Sequence, residues 1–149
     1  MADARLLRVA GVGGAIAVAA ALTGCSNQSQ LFDLEVGDCL NSTDIVSEQV
    51  LDVTILNCDT EHDLEVYAKF LMEDSEHPGR DATAAWAQSW CHEQFEPFVG
   101  VPYENSALTI SWLYPSADTW KDHDDREILC LLGSNEPATG SLKGTGADG

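Results

Sequence analysis

Cysteine is the residue type that most constrains the chemistry of this 149-residue chain. A thiolate can attack a carbonyl, hold a metal or pair with a second sulfur. Cys39, Cys58, Cys91 and Cys130 form an even set, and an even set outside the cytoplasm reads as disulfides. No CxxC spacing brings two of them together as half a zinc site. Four cysteines allow three pairings. Chain order favours Cys39–Cys58 and Cys91–Cys130, two local links that do not cross. No metal or other cofactor is expected.

His62 lies among acids in Cys58-Asp59-Thr60-Glu61-His62-Asp63-Leu64-Glu65. A histidine beside carboxylates can act as a general base or a metal ligand. The plainer role is a turn histidine whose ring bonds the backbone. The sequence favours it, since GxSxG is absent and the cysteines are committed elsewhere. Asp122-His123-Asp124-Asp125 concentrates hard oxygen ligands of the kind Ca²⁺ takes. Asp122, Asp124 and Asp125 lack the loop glycine and terminal glutamate of an EF-hand, so an exposed acidic turn is expected there. Trp86, Trp90, Trp112 and Trp120 are many for a small domain, and most should pack into a core or its rim. Trp86 and Trp120 are the two that, if exposed, would offer a surface to a glycan or a partner protein. HEXXH and Walker A are absent, and no carboxylate pair stands out for glycoside hydrolysis. The chain is read as non-enzymatic, with no catalytic residue.

Cys25 has a different setting. Met1–Arg8 carries Arg5 and Arg8, and Val9–Leu22 then runs 14 residues without a charge. That run is too short for a membrane-spanning helix, which needs about 20 residues. A basic start, a short apolar run and a small-residue exit describe a secretory signal peptide. The exit, Leu22-Thr23-Gly24-Cys25, resembles a bacterial lipobox. It implies diacylglycerol transfer to the Cys25 sulfur, cleavage before Cys25 and acylation of the new amino group. Residues 1–24 are then the leader and residues 25–30 a lipidated tether. The expected location is the extracytoplasmic face of the cell membrane, with lipid rather than polypeptide in the bilayer. Each buried CH₂ contributes about 0.8 kcal/mol, so two or more chains hold firmly where one does not.

Charge narrows the partners. Seven basic residues stand against 25 acidic ones, for a formal net charge of −18. Nucleic acid is excluded as a partner, because its phosphates need a Lys/Arg surface. Docking on anionic head groups through a polybasic patch is excluded likewise. A protein partner with a basic surface fits best.

The elements that must position these residues follow from periodicity. Val36–Leu40 reads as a first strand. Val50–Asn57 alternates, with Leu51, Val53 and Ile55 on one face. Leu64–Met72 alternates again, with Leu64, Val66, Ala68, Phe70 and Met72 on one face and Glu65, Tyr67 and Lys69 opposite. Asp81–Phe98 reads as the one long helix, capped by Asp81 and ended by Pro97. Ala84, Ala87, Trp90, Cys91, Phe95 and Phe98 fall in one arc, with Gln94 a misfit inside it. Ala107–Tyr114 is a strand with Leu108, Ile110, Trp112 and Tyr114 on one face, and Glu127–Leu132 is the last strand. Residues 133–149, rich in Gly, Ser, Ala and Thr, read as a disordered tail. The fold class is α+β: a small antiparallel sheet with one main helix on one face and two disulfides. Cys91–Cys130 would staple that helix to the final strand.

In this order the landmarks resemble the septum-formation family of actinobacterial envelope proteins. The matching pieces are Val36-Gly37-Asp38-Cys39-Leu40, then Asn57-Cys58-Asp59 with His62-Asp63-Leu64-Glu65-Val66. The helical Cys91, Phe98-Val99-Gly100, Tyr114-Pro115-Ser116, Trp120 and Arg126 before Cys130 follow. The match covers Leu31 to Leu132. Asp124 departs from it, standing where the family usually has glycine before Asp-Arg. The resemblance implies a secreted or membrane-anchored module of a high-GC Gram-positive envelope, with a family name that points to cell division. It offers no catalytic residues. His62, Glu65 and Arg126 are expected to form an internal polar network. The expected function is a lipoprotein that presents a protein-interaction domain in the envelope, linked to septum formation. The alternative is a lipoprotein that binds a small ligand, a cation or wall glycan.

Overall fold

A computed structural model describes residues 28–30, 33–45 and 52–146 of the chain. The expected leader, Cys25 and Leu51 lie outside the described residues. Strands β1 (Gln28–Gln30) and β3 (Asp52–Thr54) pair antiparallel as a two-stranded ribbon. Strands β2 (Cys39–Leu40), β4 (His62–Leu71), β5 (Thr109–Leu113) and β6 (Glu127–Ala138) form an antiparallel sheet in the order β2-β4-β6-β5. Helix α1 (Arg80–Val99) lies on one face of it, and the short α2 (Ala117–Asp122) precedes β6. The fold is α+β with one main helix, as expected.

The sheet is buried on both faces. On the α1 side, Ile128, Cys130 and Leu132 of β6 join Ala87, Cys91, Phe95 and Val99 in one core. On the other side, Leu129 and Leu131 meet Leu34, Leu40 and Val53 of the N-terminal segment in a second core. A strand buried on both faces reads as a continuous apolar run, and Ile128–Leu132 is one. The last three residues of the segment expected as a tether, Gln28–Gln30, form β1.

The expected single face of β4 is corrected. Val66 opposes Leu131 while Ala68 opposes Cys130, so Tyr67 is an extra residue in the ladder. A β-bulge of this kind shifts the side-chain alternation by one. Leu64 and Val66 therefore join the N-terminal core, whereas Tyr67, Ala68, Phe70 and Met72 face α1.

Helix α1 also differs from expectation in detail. Its N-cap is Gly79, not Asp81, and Asp81 lies in the first turn. Pro97 does not end it. A proline in the last turn forfeits one hydrogen bond, and burial of Val99 at 0% exposure outweighs that loss. Gly100 closes the helix at φ 94, donating its N–H to the Glu96 carbonyl. The buried stripe is Thr83, Ala87, Cys91, Phe95 and Val99, one residue in four, with Trp90 and Phe98 at its edge.

Both disulfides pair as favoured. Cys39–Cys58 has a Cα separation of 5.3 Å and Cys91–Cys130 one of 5.5 Å. The first ties the turn after β3 to the sheet edge, and the second ties α1 to β6.

The expected disordered tail is instead folded through residue 146. Strand β6 runs on to Ala138, which pairs with His62. Gly140 N–H then donates to the Cys58 carbonyl at 2.6 Å and Gly144 N–H to the Phe98 carbonyl at 2.9 Å. What holds this strap is a buried acid. Glu65 accepts from Ser141 Oγ at 2.7 Å and from Leu142 N–H at 2.6 Å, and Leu142 enters the α1-side core.

Candidate functional site

The first strand of the sheet is two residues long, and its register sets Cys39 opposite Glu65 of β4. His62 lies three residues before Glu65. In a regular strand the two would face opposite sides. The ladder shifts between His62 and Leu64, and the ligand atoms of Cys39, His62 and Glu65 come within 4.8 Å of one another. All three residues are buried, at 1% exposure or less. His62 Nδ1 donates to the Thr60 carbonyl at 2.8 Å, the turn-histidine role expected from sequence. The carbonyl only accepts, so Nδ1 carries the proton of that bond, and in the neutral ring Nε2 is then the acceptor. Nε2 is buried with no hydrogen-bond partner.

Arg126 is not part of this group, which corrects the expected three-membered network. His62 and Arg126 stand at opposite ends of the β4–β6 pair: His62 faces Ala138, while the Arg126 carbonyl accepts from Met72 N–H past the far end of β4. Arg126 instead lays its guanidinium 3.8 Å over the Trp120 ring and donates to the carbonyls of Trp120 and Asp125, each at 2.9 Å. It also pairs with Asp124 at 2.9 Å. Trp120 is thereby buried at 6% exposure and is no partner surface.

The acidic turn spends its carboxylates separately. Asp124 takes Arg126, Asp125 accepts from Glu127 N–H at 3.1 Å, and Asp122 approaches Lys121 at 4.0 Å. Asp122, Asp124 and Asp125 thus spend their carboxylates on different partners rather than on one shared point. Trp86 stays 37% exposed. It stacks on Trp90 at 5.8 Å between centroids and leans on Phe70 at 4.3 Å. Gly144-Thr145-Gly146-Ala147-Asp148-Gly149 has the spacing of a dinucleotide turn, but it follows β6 and opens no helix among the described residues.

Among the described residues, three ionisable groups are shifted. Burial, then the neighbouring Tyr103, pushes the Tyr67 hydroxyl far above its ordinary value, and that hydroxyl donates to the Cys91 carbonyl at 2.6 Å. Lys69 bridges Glu35 at 3.0 Å and Glu127 at 2.9 Å. Burial works to lower its pKa, but the bonds and charges of the two glutamates prevail and raise it. Burial raises Glu127 against the opposing pull of Lys69.

One depression on the surface lies away from the residues that the sequence singles out. His92, Glu93, Glu96, Pro97, Pro102, Tyr103 and Glu104 line an open groove of about 530 Å³ beside the second half of α1. Glu93, Glu96 and Glu104 are exposed on it. The helical spacing of Glu93 and Glu96 could have signalled a shared acidic edge; nothing in the sequence could have added Glu104.

A family model described as septum formation matches residues 36–147. Among curated proteins, the chain is 30% identical over 113 residues to a Mycobacterium tuberculosis protein named "Putative lipoprotein LppN". The alignment takes in 74% of this chain and 60% of that protein. The Mycobacterium bovis protein of the same name matches to the same extent. An uncharacterized membrane protein of M. tuberculosis is 27% identical over 138 residues, covering 85% of this chain and 30% of its own length. The chain thus spans about 60% of the length of the first curated relatives it matches. No solved structure matches.

Proposed function

This chain belongs to the septum-formation family, and on that premise we propose that it is an envelope lipoprotein presenting a non-enzymatic protein-interaction domain. Lipid on Cys25 would hold it at the extracytoplasmic face of the cell membrane, with its partner at the site of division. The lipobox-like exit before Cys25 and the lipoprotein name of its relatives support the anchor. The observation that carries the interaction role is the acidic groove. It is open, so it would not enclose a small substrate. Its exposed Glu93, Glu96 and Glu104 would steer a basic segment of a partner.

The test images a fluorescent fusion joined by a linker after Gly149 in dividing cells. Mid-cell membrane signal is expected, with Cys25→Ala releasing the protein from the membrane. A photo-crosslinker at Glu96 should capture a partner in a manner weakened by salt and abolished by Glu93→Lys with Glu104→Lys. Uniform signal together with crosslinking indifferent to those reversals overturns the proposal.

A second reading, binding of wall glycan, has one observation in its favour. The exposed face of Trp86, backed by Trp90 and Phe70, is a flat aromatic platform. Quenching of tryptophan fluorescence by soluble wall fragments, lost in Trp86→Ala, would select it.

A further inference from the structure

We infer that the Cys39–Cys58 disulfide masks a Zn²⁺ site, formed by Cys39 Sγ, His62 Nε2 and the Glu65 carboxylate, which opens when that disulfide is reduced. Thiolate, imidazole and carboxylate are the three ligand types that zinc takes, and three protein ligands leave the fourth position to water. The ligand atoms already lie within 4.8 Å of one another, on three buried residues. The free lone pair of His62 is the second sign. A buried, unpartnered Nε2 is costly, and coordination would satisfy it.

The surroundings carry the arrangement that orients metal ligands. His62 donates its other ring N–H to the Thr60 carbonyl at 2.8 Å, which leaves Nε2 as the ring nitrogen free to coordinate. Glu65 is held by Ser141 Oγ at 2.7 Å and Leu142 N–H at 2.6 Å, and each of its oxygens keeps a further lone pair. The missing ligand is Cys39, whose sulfur is committed to Cys58.

Access to that bond is asymmetric. Cys39 is fully buried, whereas Cys58 is half-exposed. A thiolate of a dithiol reductant therefore attacks Cys58 Sγ. A mixed disulfide forms on Cys58, the Cys39–Cys58 bond breaks, and Cys39 leaves as a thiolate. The second thiol of the reductant resolves the mixed disulfide, freeing Cys58 as a thiol and the reductant as its own cyclic disulfide. Two electrons pass to the protein. Cys58 takes up one proton, and Cys39 stays ionised on the metal. The other bridge, Cys91–Cys130, is buried at both sulfurs and withdrawn from the same attack.

The test uses the full chain carrying Cys25→Ser, in detergent, with and without Cys58→Ser. The added substitution frees Cys39 with no reductant and leaves Cys91–Cys130 intact. The Cys58→Ser chain should take one Zn²⁺, measured against a chromophoric chelator, and its Co²⁺ form should show thiolate charge-transfer absorption in the near ultraviolet. The oxidised chain should do neither, and dithiothreitol treatment should confer both. In the Cys58→Ser background, His62→Ala should abolish the complex, and Ser141→Ala should weaken it by about 10- to 100-fold. If the Cys58→Ser chain is unfolded without metal, Zn²⁺ should restore its helical circular dichroism. Equal binding by the oxidised chain, a Co²⁺ spectrum without charge transfer, binding that survives His62→Ala, or a metal-indifferent unfolded chain would each overturn the inference.

Discussion

Asp124 takes a left-handed backbone at φ 54, alone among the described non-glycine residues. Aspartate tolerates that region better than most side chains, at a cost of roughly 1–2 kcal/mol relative to glycine. It is also the position where the family resemblance expects glycine, so the turn keeps glycine geometry without glycine. Its ion pair with Arg126 is an exposed one and holds little stability. Asp124→Gly should therefore leave stability unchanged or raise it by up to about 1 kcal/mol, after the added freedom of the unfolded chain is discounted. Asp124→Val should lower it by at least about 1 kcal/mol. Urea denaturation of both variants decides, and equal midpoints would show the turn to be unstrained. Glu127 offers a test in pH. Burial raises its pKa in the folded chain, and its Oε2 is buried without a hydrogen-bond partner. The folded state thus binds this proton more tightly than the unfolded state. Stability from this group is full at low pH and falls as pH rises from the ordinary value of 4.5 through the folded value. Glu127→Gln removes that titration, so its stability relative to the unsubstituted chain should climb as pH rises from the ordinary value of 4.5 through the raised folded value. A flat or falling difference would show that the ion pair with Lys69 outweighs burial.

The strap after β6 is the element most dependent on a single side chain. Its N–H at Leu142 and hydroxyl at Ser141 both end on Glu65, whose burial is complete. Glu65→Gln keeps the volume but replaces a charged acceptor by a neutral amide, whose Oε1 can hold the Leu142 N–H only if its NH₂ faces Ser141 Oγ and that hydroxyl turns to accept. Losing a hydrogen bond to a charged group in a buried place costs about 1–3 kcal/mol. The variant should lose amide-exchange protection at Leu142 and Gly144 first, while the β4–β6 ladder keeps its own. Simultaneous loss across the sheet would show that the strap is integral to global folding. This element was unreadable in the sequence because Gly, Ser and Thr dominate it, and one leucine among them carries no periodicity. The hydrogen bonds that order it cross 76 and 77 residues, a distance no local pattern spans. Strand β4 was readable as a strand but not in its facing, because an inserted Tyr67 leaves the apolar alternation looking unbroken from Leu64 to Met72. The long helix, β5 and both cysteine pairings were readable, since each rests on local periodicity or on chain order. Of the Cys39–His62–Glu65 group, the sequence marked each residue but not their meeting, which comes from a two-residue strand in register with β4.

At the scale of the molecule, the fold is a sheet between two covers, and each cover is joined to the sheet by one disulfide. Helix α1 is joined through Cys91–Cys130, and the turn after β3 through Cys58–Cys39. A small domain buries a smaller share of its surface than a large one, and cross-links add to its stability. The two links are not equal. Their sequence separations are 39 and 19 residues, and the longer loop loses more freedom in the unfolded chain when closed. On chain entropy alone the bridges contribute about 4 and about 3 kcal/mol. The buried surroundings add to the difference. Cys91 and Cys130 both sit in the main core, so replacing them with alanine also leaves a void beside Phe95 and Tyr67. The Cys91→Ala, Cys130→Ala variant should therefore be less stable than Cys39→Ala, Cys58→Ala by more than the roughly 0.6 kcal/mol that loop length alone predicts. Chemical denaturation of both double variants measures this. Because α1 carries Glu93 and Glu96 of the groove, the first variant should also lose crosslinking from Glu96 before it loses its sheet. A first variant as stable as the second would mean that α1 is held by packing alone, and that the bridge protects the chain before folding rather than after it.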